Sequence, residues 1–571
     1  MTRFRLLVPV LLAAACAPRG GVEQAPGATP SDRFDVIIAG GRIIDGTGNA
    51  WYYGDVAIRG DRIARIATPG SLDRATAGTR IDARGLVVSP GFIDIQGHSR
   101  DDFLDGDARV VSKVTQGITT EIMGEGWTNA PSNERTEARF AGADPREAGP
   151  DPAFRGRGGF GRWLEAMGNR GPSINLGSFV GSATVRAYAM GMRQGAPSAA
   201  ELDTMRAVVR DAMEDGAFGL ATALIYPPDN FSTTEQLVEL AKAMGPYGGV
   251  YISHMRSEAD ALLEAIDELI EIGRRGGVPA EIYHLKAAGQ RNWPKMKAAI
   301  AKIDSARAAG QDVSADMYPY VAGGTALAAC APPWASADDK LLENLRNPET
   351  RARAKAEMLS ERTEWENLCQ LATPAGVTVV GFRKPDLMQY NGKTLADIAA
   401  AMNKDWVDAM MDITLTEEGR VGALFNIASE ENLELQLRQP WIKFGTDAGG
   451  VDPDSARGLV HPRSYGTFPR ILGTYVRERQ VMPLEEAIRK MSSAVANRLS
   501  IRERGLVREG MYADLVVFDP ATVSDRATYA QPHQISVGIR HVFVNGSEVV
   551  RDGKHTGARP GRVVRGPGWR Q

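Results

Sequence analysis

Net charge, cysteine, histidine and long apolar runs are all sparse in this sequence of 571 residues. Acidic and basic side chains nearly cancel, at 70 against 67, and the net charge of −3 excludes a global basic field for nucleic acid. No segment after the N-terminus has the length and apolarity of a membrane span. The middle of the chain shows no internal repeat and no low-complexity tract, which sets repeat architectures aside. Only seven histidines occur, so three of them at matching positions carry information. What is present is ample: 43% of residues are hydrophobic, enough for a large core. The length exceeds one ordinary domain and suits a large barrel with a smaller unit.

The first residues read as a targeting segment and are set apart from the fold. Arg3 and Arg5 form a positive start, and Leu6 to Ala15 is a short apolar stretch. Ala13-Ala14-Ala15-Cys16 resembles a bacterial lipobox, with Cys16 as the lipidated first residue of an exported chain. Residues 17–33, rich in Pro, Gly and Ser, read as a flexible tether, so that residues 1–33 form signal and tether. The expectation is a lipoprotein that meets the membrane through its lipid anchor only and faces the periplasm or the exterior. Cys330 and Cys369 remain; an exported protein can pair them, and two separate buried thiols fit the sequence equally well.

Residues 34–88 read as short strands with tight turns. Asp55-Val56-Ala57-Ile58 meets Arg62-Ile63-Ala64 across Gly60-Asp61, a hairpin signal. The C-terminal region, 500–571, has the same texture, with Asp514 to Phe518 and His541 to Ser547 as strands. Together these ends predict one small β-sandwich domain. Between them, residues 89–499 alternate apolar strand runs with amphipathic helices, the pattern of a parallel α/β barrel. Strand runs end near His98, Glu125, Val180, Ile225, His254, His284, Tyr320 and Asp447, and Ala423 to Ile427 reads as an accessory strand. Ala259 to Gly273 predicts a helix ended by Gly276-Gly277. Residues 128–172 read as loop, and residues 321–400 as a partly helical insertion.

The strand ends carry the chemistry. His254 and His284 are 30 residues apart and His98 and Glu125 are 27 apart, each about one βα unit. In a barrel such strand ends converge on one mouth. Imidazoles and a carboxylate there suit zinc or a similar divalent ion. Trp441 to Asp447 is a further apolar strand that ends in a carboxylate.

Several stretches resemble one family. Pro90-Gly91-Phe92-Ile93-Asp94 with His98 beyond it is similar to the amidohydrolase superfamily. Thr119 to Gly126, Ser253 to Arg256, His284-Leu285-Lys286, Asp316 to Tyr320, Pro332 to Trp334, His461 to Arg470 and Gly510 to Pro520 resemble its D-aminoacylase (N-acyl-D-amino-acid deacylase) branch. The resemblance runs from about 34 to 565 and implies a (β/α)8 TIM-like barrel with a β-sandwich. It implies that His254 and His284 hold a tight zinc and that Asp447 handles the proton. It implies that Lys286, Tyr318 and Arg463 hold a substrate carboxylate, with Tyr320 competing for the tyrosine role. The planar fork of Arg suits that task.

Two positions depart from the branch. Its bridging cysteine is missing from Gly124-Glu125-Gly126-Trp127. Gly126 stands at the cysteine's place by strict register, and Glu125 is the expected substitute, with Glu121, inside the strand, as the alternative. Gln96 replaces the first histidine of His-x-His, and an amide is a weaker ligand than imidazole. The site of His98, Gln96 and Asp447 is therefore expected to be weak, giving one tight zinc and a second ion weak or absent. The expected function is zinc-dependent hydrolysis of an N-acyl-amino acid with release of a D-amino acid. D-terminal dipeptides and other carboxylate-bearing amides fit the same clamp, and a metal-free scaffold barrel is the non-catalytic alternative.

Overall fold

The computed structural model describes residues 32–139 and 151–570; the segment expected to be a targeting signal, with Cys16, lies outside the described residues. Two parallel sheets form the centre. One runs in the order Ile442–Phe444, Val313–Met317, Ala280–Ile282, Val250–His254, Gly219–Ala223, Val180–Gly181. The other runs Phe92–Asp94, Ile118–Met123, Asn175–Ser178. Every residue of these nine strands is buried, as parallel strands covered on both faces require.

The two sheets meet at both edges. A single residue, Phe179, separates Asn175–Ser178 from Val180–Gly181. At the far edges a parallel bridge joins Gly97 to Ala448. There the His98 amide donates to the Ala448 carbonyl at 3.0 Å, and the Asp447 amide to the Gln96 carbonyl at 2.8 Å. A buried network fastens this edge from behind. Lys113 Nζ donates to Asp94 Oδ2 at 2.8 Å and to Thr446 Oγ1 at 2.6 Å, while the Thr446 amide donates to Asp94 Oδ1 at 2.9 Å.

The helix between His254 and His284 spans Leu262–Gly276 and stops at Gly277, whose φ of 68° is left-handed, the conformation glycine supplies without strain. Leu262, Ile266 and Leu269 are buried, and Ile270 is half-buried. The β-rich ends join in one mixed nine-stranded sheet, where Leu515–Phe518 runs antiparallel to Val87–Pro90. The predicted hairpin is present, with Arg59 opposite Arg62.

Residues 128–172, expected as loop, contain the helix Gly159–Asn169. Phe160, Trp163, Leu164 and Met167 are buried there at helical spacing, and this apolar face outweighs the local glycines. The insertion has its own apolar cluster, and its strand Ala322–Ala326 pairs with the accessory strand Gly422–Asn426 in a small antiparallel sheet. Cys330 and Cys369, both fully buried in that cluster, are joined as a disulfide.

Candidate metal centre

The site residues stand at the C-terminal ends of the parallel strands or just beyond them. His254 closes Val250–His254, and His284 lies two residues past Ala280–Ile282. His284 and Asp447 adopt left-handed backbone, with φ of 33° and 50°, a conformation costly for residues with a Cβ and concentrated at functional sites. Asp316 fixes the first of them: its Oδ1 accepts the His284 amide at 2.8 Å.

Glu125 is the hub. Its Oε1 lies 3.2 Å from His254 Nδ1 and 3.3 Å from His284 Nε2. Its Oε2 lies 3.5 Å from His98 Nε2 and accepts the Gln96 amide N–H at 2.6 Å. Burial works against the Glu125 charge, but His284, His254 and His98 hold its carboxyl well below the usual range. Gly126 could not play this part. Its φ is +63°, and a Cβ there would sit 2.8 Å from the Ala223 Cβ. Glu121 faces the other way: its oxygens take the Ser99 amide at 3.0 Å and the Ser99 hydroxyl at 2.8 Å.

Two donor groups share Glu125. The ligand atoms of Glu125, His254 and His284 lie within 4.8 Å of one another, as do those of His98, Glu125 and Asp447. The first group is closed, with the His254 and His284 side chains 8% and 2% exposed, whereas His98 is 39% exposed. Asp447 lies 3.0 Å from His98 Nε2 and 2.7 Å from Arg463 Nη1. Burial opposes its charge, yet Arg463 and the His98 hydrogen bond keep its carboxyl below the usual range. Gln96 turns its amide nitrogen toward Glu125, and its Oε1 is buried without a partner. Two imidazoles and a carboxylate are a donor set that fits zinc.

A cavity of about 280 Å³ opens over these groups. Lys286, Tyr318 and Arg463 line it together, and Tyr320 is not among its lining residues. Arg463 stacks 4.6 Å over the Tyr318 ring. Its Nε is buried without a hydrogen bond, while its Nη1 is taken up by the Asp447 carboxylate. His461 anchors it: the Arg463 amide donates to His461 Nδ1 at 3.0 Å, and His461 Nε2 donates to the Ala322 carbonyl at 2.9 Å. Lys286 pairs with Glu258 through contacts of 2.8 and 2.9 Å. Burial lowers the Lys286 affinity for its proton, but Glu258 outweighs this and raises it. Ala223, Ile225, Phe425 and Ile427 give the cavity an apolar wall.

Glu258 and Glu366 are not among the candidate residues of the sequence, and His461 enters there only as the first residue of the stretch His461 to Arg470. Glu258 had one available signal, its position four residues after His254. Glu366 had none, because the insertion brings it in from more than a hundred residues away.

Comparison with known proteins places this geometry. Residues 392–550 match the amidohydrolase family. A D-aminoacylase from Alcaligenes xylosoxydans xylosoxydans is 34% identical over 94% of this chain and 98% of its own length. A solved D-aminoacylase structure with a binuclear metal centre superposes with a TM-score of 0.76 at 35% identity, covering 93% of this chain and all of that one. The N-acyl-D-glutamate deacylase of Bordetella bronchiseptica, solved with zinc and a phosphonate inhibitor, gives 0.76 at 32% identity, covering 94% of this chain and 100% of that one. With the strand-end histidines, the shared carboxylate and these near full-length likenesses, the chain belongs to the amidohydrolase family, in its D-aminoacylase branch, as a metal-dependent amide hydrolase.

Proposed function

We propose that this protein is a zinc-dependent deacylase that releases a D-amino acid from an N-acyl-amino acid. The observation that carries the reading is the convergence of Glu125, His254 and His284 beside a cavity that Lys286, Tyr318 and Arg463 also line. The relatives that hydrolyse N-acyl-D-amino acids support the substrate class. In this reading the two parallel sheets close as one eight-stranded barrel, with Asn175–Ser178 and Val180–Gly181 counted as one broken strand. The β-rich ends, 34–88 and 500–571, make the small sandwich beside it. Cys16 anchors the exported chain by lipid.

Glu125, His254 and His284 would hold the tight ion. When bound, the ion supplies Lewis acidity toward water and an amide carbonyl. Asp447 accepts the proton on a carboxylate oxygen and returns it to the leaving amine nitrogen. Arg463 offers its unpartnered Nε to the substrate carboxylate, with Tyr318 beneath it and Lys286 nearby. Both cations already pair with carboxylates, Lys286 with Glu258 and Arg463 with Asp447. With both assigned to the substrate's own carboxylate, no other Lys or Arg among the described residues lines the cavity to meet an acidic side chain, and the apolar wall favours a neutral one.

Glu125 takes the place of the branch's cysteine, and Gln96 that of its first histidine. The Gln96 N–H occupies Glu125 Oε2, the oxygen that faces His98. A second ion must displace this hydrogen bond and gains only a neutral amide, so we expect one tight ion and a weak second site. Metal analysis joined to a screen of N-acetyl-D- and N-acetyl-L-amino acids tests the reading. One zinc per chain with turnover of N-acetyl-D-leucine over N-acetyl-D-glutamate supports it. Absence of bound zinc, with no activity restored by zinc, cobalt or manganese, would leave a scaffold.

A further inference from the structure

Behind the histidine pair lies a second layer of carboxylates. Glu258 is 3% exposed. Its Oε1 lies 2.9 Å from His284 Nδ1 and 2.8 Å from Lys286 Nζ. Its Oε2 lies 2.9 Å from the same Nζ and 3.7 Å from His254 Nε2, a buried nitrogen without a hydrogen bond. One carboxylate thus faces the outer nitrogens of both histidines, while their inner nitrogens face Glu125. Lys286 Nζ also lies 2.7 Å from His284 Nδ1, so lysine and carboxylate compete to define that ring.

Glu258 is itself held from outside. Glu366, on the insertion, is 7% exposed, and its carboxylate accepts the Glu258 amide and, at 3.1 Å, the Ser257 hydroxyl. Its other oxygen, Oε2, is buried without a hydrogen bond. Two residues on, Leu368 lines the cavity, and Cys369 ties the segment to Cys330.

We propose that Glu258 is the positioning residue of the histidine pair and that Glu366, delivered by the insertion, sets it in place. An imidazole that ligates a metal through one nitrogen commonly gives its other N–H to a carboxylate, which fixes the tautomer and the ring plane. Glu258 fills that role for His284 and at once neutralises Lys286 beside the same ring. The proposal rests on the reading of Glu125, His254 and His284 as the zinc site.

Zinc affinity of the apoprotein, measured by chelator competition, separates the two ideas. Wild type should bind one ion tightly and His284→Ala should lose it; if His284→Ala keeps wild-type affinity, the zinc reading fails and the proposal falls with it. With that reading intact, Glu258→Gln should weaken zinc binding by about 10–100-fold. Lys286→Met should raise KM and leave zinc affinity unchanged. Unchanged affinity in Glu258→Gln, or a larger loss in Lys286→Met than in Glu258→Gln, overturns the proposal. Glu366→Ala should weaken zinc in the same direction, and Glu366→Gln, which keeps an acceptor oxygen for the Glu258 amide, should restore it. If Glu258→Gln does not fold, the Glu366 pair decides alone: equal affinity in wild type, Glu366→Ala and Glu366→Gln overturns the role.

Discussion

The two halves of this metal centre share Glu125 and differ in almost everything else. The His254 and His284 half is buried, and each ring has a carboxylate on both sides. The half formed by His98 and Asp447 is open to the cavity, and its carboxylate already pairs with Arg463. A buried set of ligands with fixed outer partners loses little freedom on binding an ion. An exposed histidine beside an engaged aspartate must reorganise first. Under the proposed function the contrast gives the halves different tasks: the first would hold the ion, the second would move the proton.

The most drastic way to break this contrast is His284→Ala. Bound zinc and deacylation should both vanish, read by metal analysis and by amine release. Asp447→Asn comes next and should separate the halves: zinc stays, while kcat falls by about 10²–10⁴-fold, the usual worth of a positioned acid-base group. Near-normal turnover with zinc retained would remove Asp447 from proton transfer. A smaller effect is expected from Gln96→His, which trades an amide donor for an imidazole ligand. Glu125 Oε2 is then released from the Gln96 N–H, and a second zinc should appear in titrations with excess metal while the first is unaffected. Unchanged stoichiometry would mean that Gln96 does not set the imbalance.

Much of this was legible in the sequence because the spacing of βα units is regular. His254 and His284 sit one βα unit apart; the strand named for His254 ends at that residue, the strand named for His98 ends four residues earlier at Asp94, and Val180 lies within Val180–Gly181. Carboxylate chemistry favours Glu125 over Gly126 in the sequence, and the structure adds the left-handed backbone of Gly126 and its close approach to Ala223. Contacts made by the insertion were not legible. The Cys330–Cys369 disulfide, the Glu366 contact to Glu258 and the Leu368 wall all depend on how residues 321–400 fold back over the cavity. No period in the sequence encodes that return. The helix at Gly159–Asn169 was hidden for a different reason, because its glycines and arginines mask an apolar face that appears only at helical spacing.

The smallest predicted effect sharpens the contrast from the stability side. Asp229 lies fully buried on the His254 side of the cavity, where its Oδ2 accepts the Ala223 amide at 2.8 Å and its Oδ1 has no partner. Burial pushes its carboxyl up to about 7, and the Ala223 hydrogen bond, the nearby Ser182 hydroxyl, Arg186 and Arg256 only partly offset this. The folded chain therefore keeps a proton that the unfolded chain has lost. Stability must fall as pH rises from the ordinary carboxylate value of about 3.8 through about 7. Asp229→Asn keeps an acceptor for Ala223 and has no charge to bury. Its Tm should exceed wild type by a few degrees at pH 8 and match it at pH 4, with zinc content and kcat unchanged. An equal Tm at both pH values would show that this carboxylate is already solvated or paired. A loss of zinc would show instead that the buried half depends on the Asp229 charge, and the division of tasks between the two halves would then need a third anionic group on the His254 side.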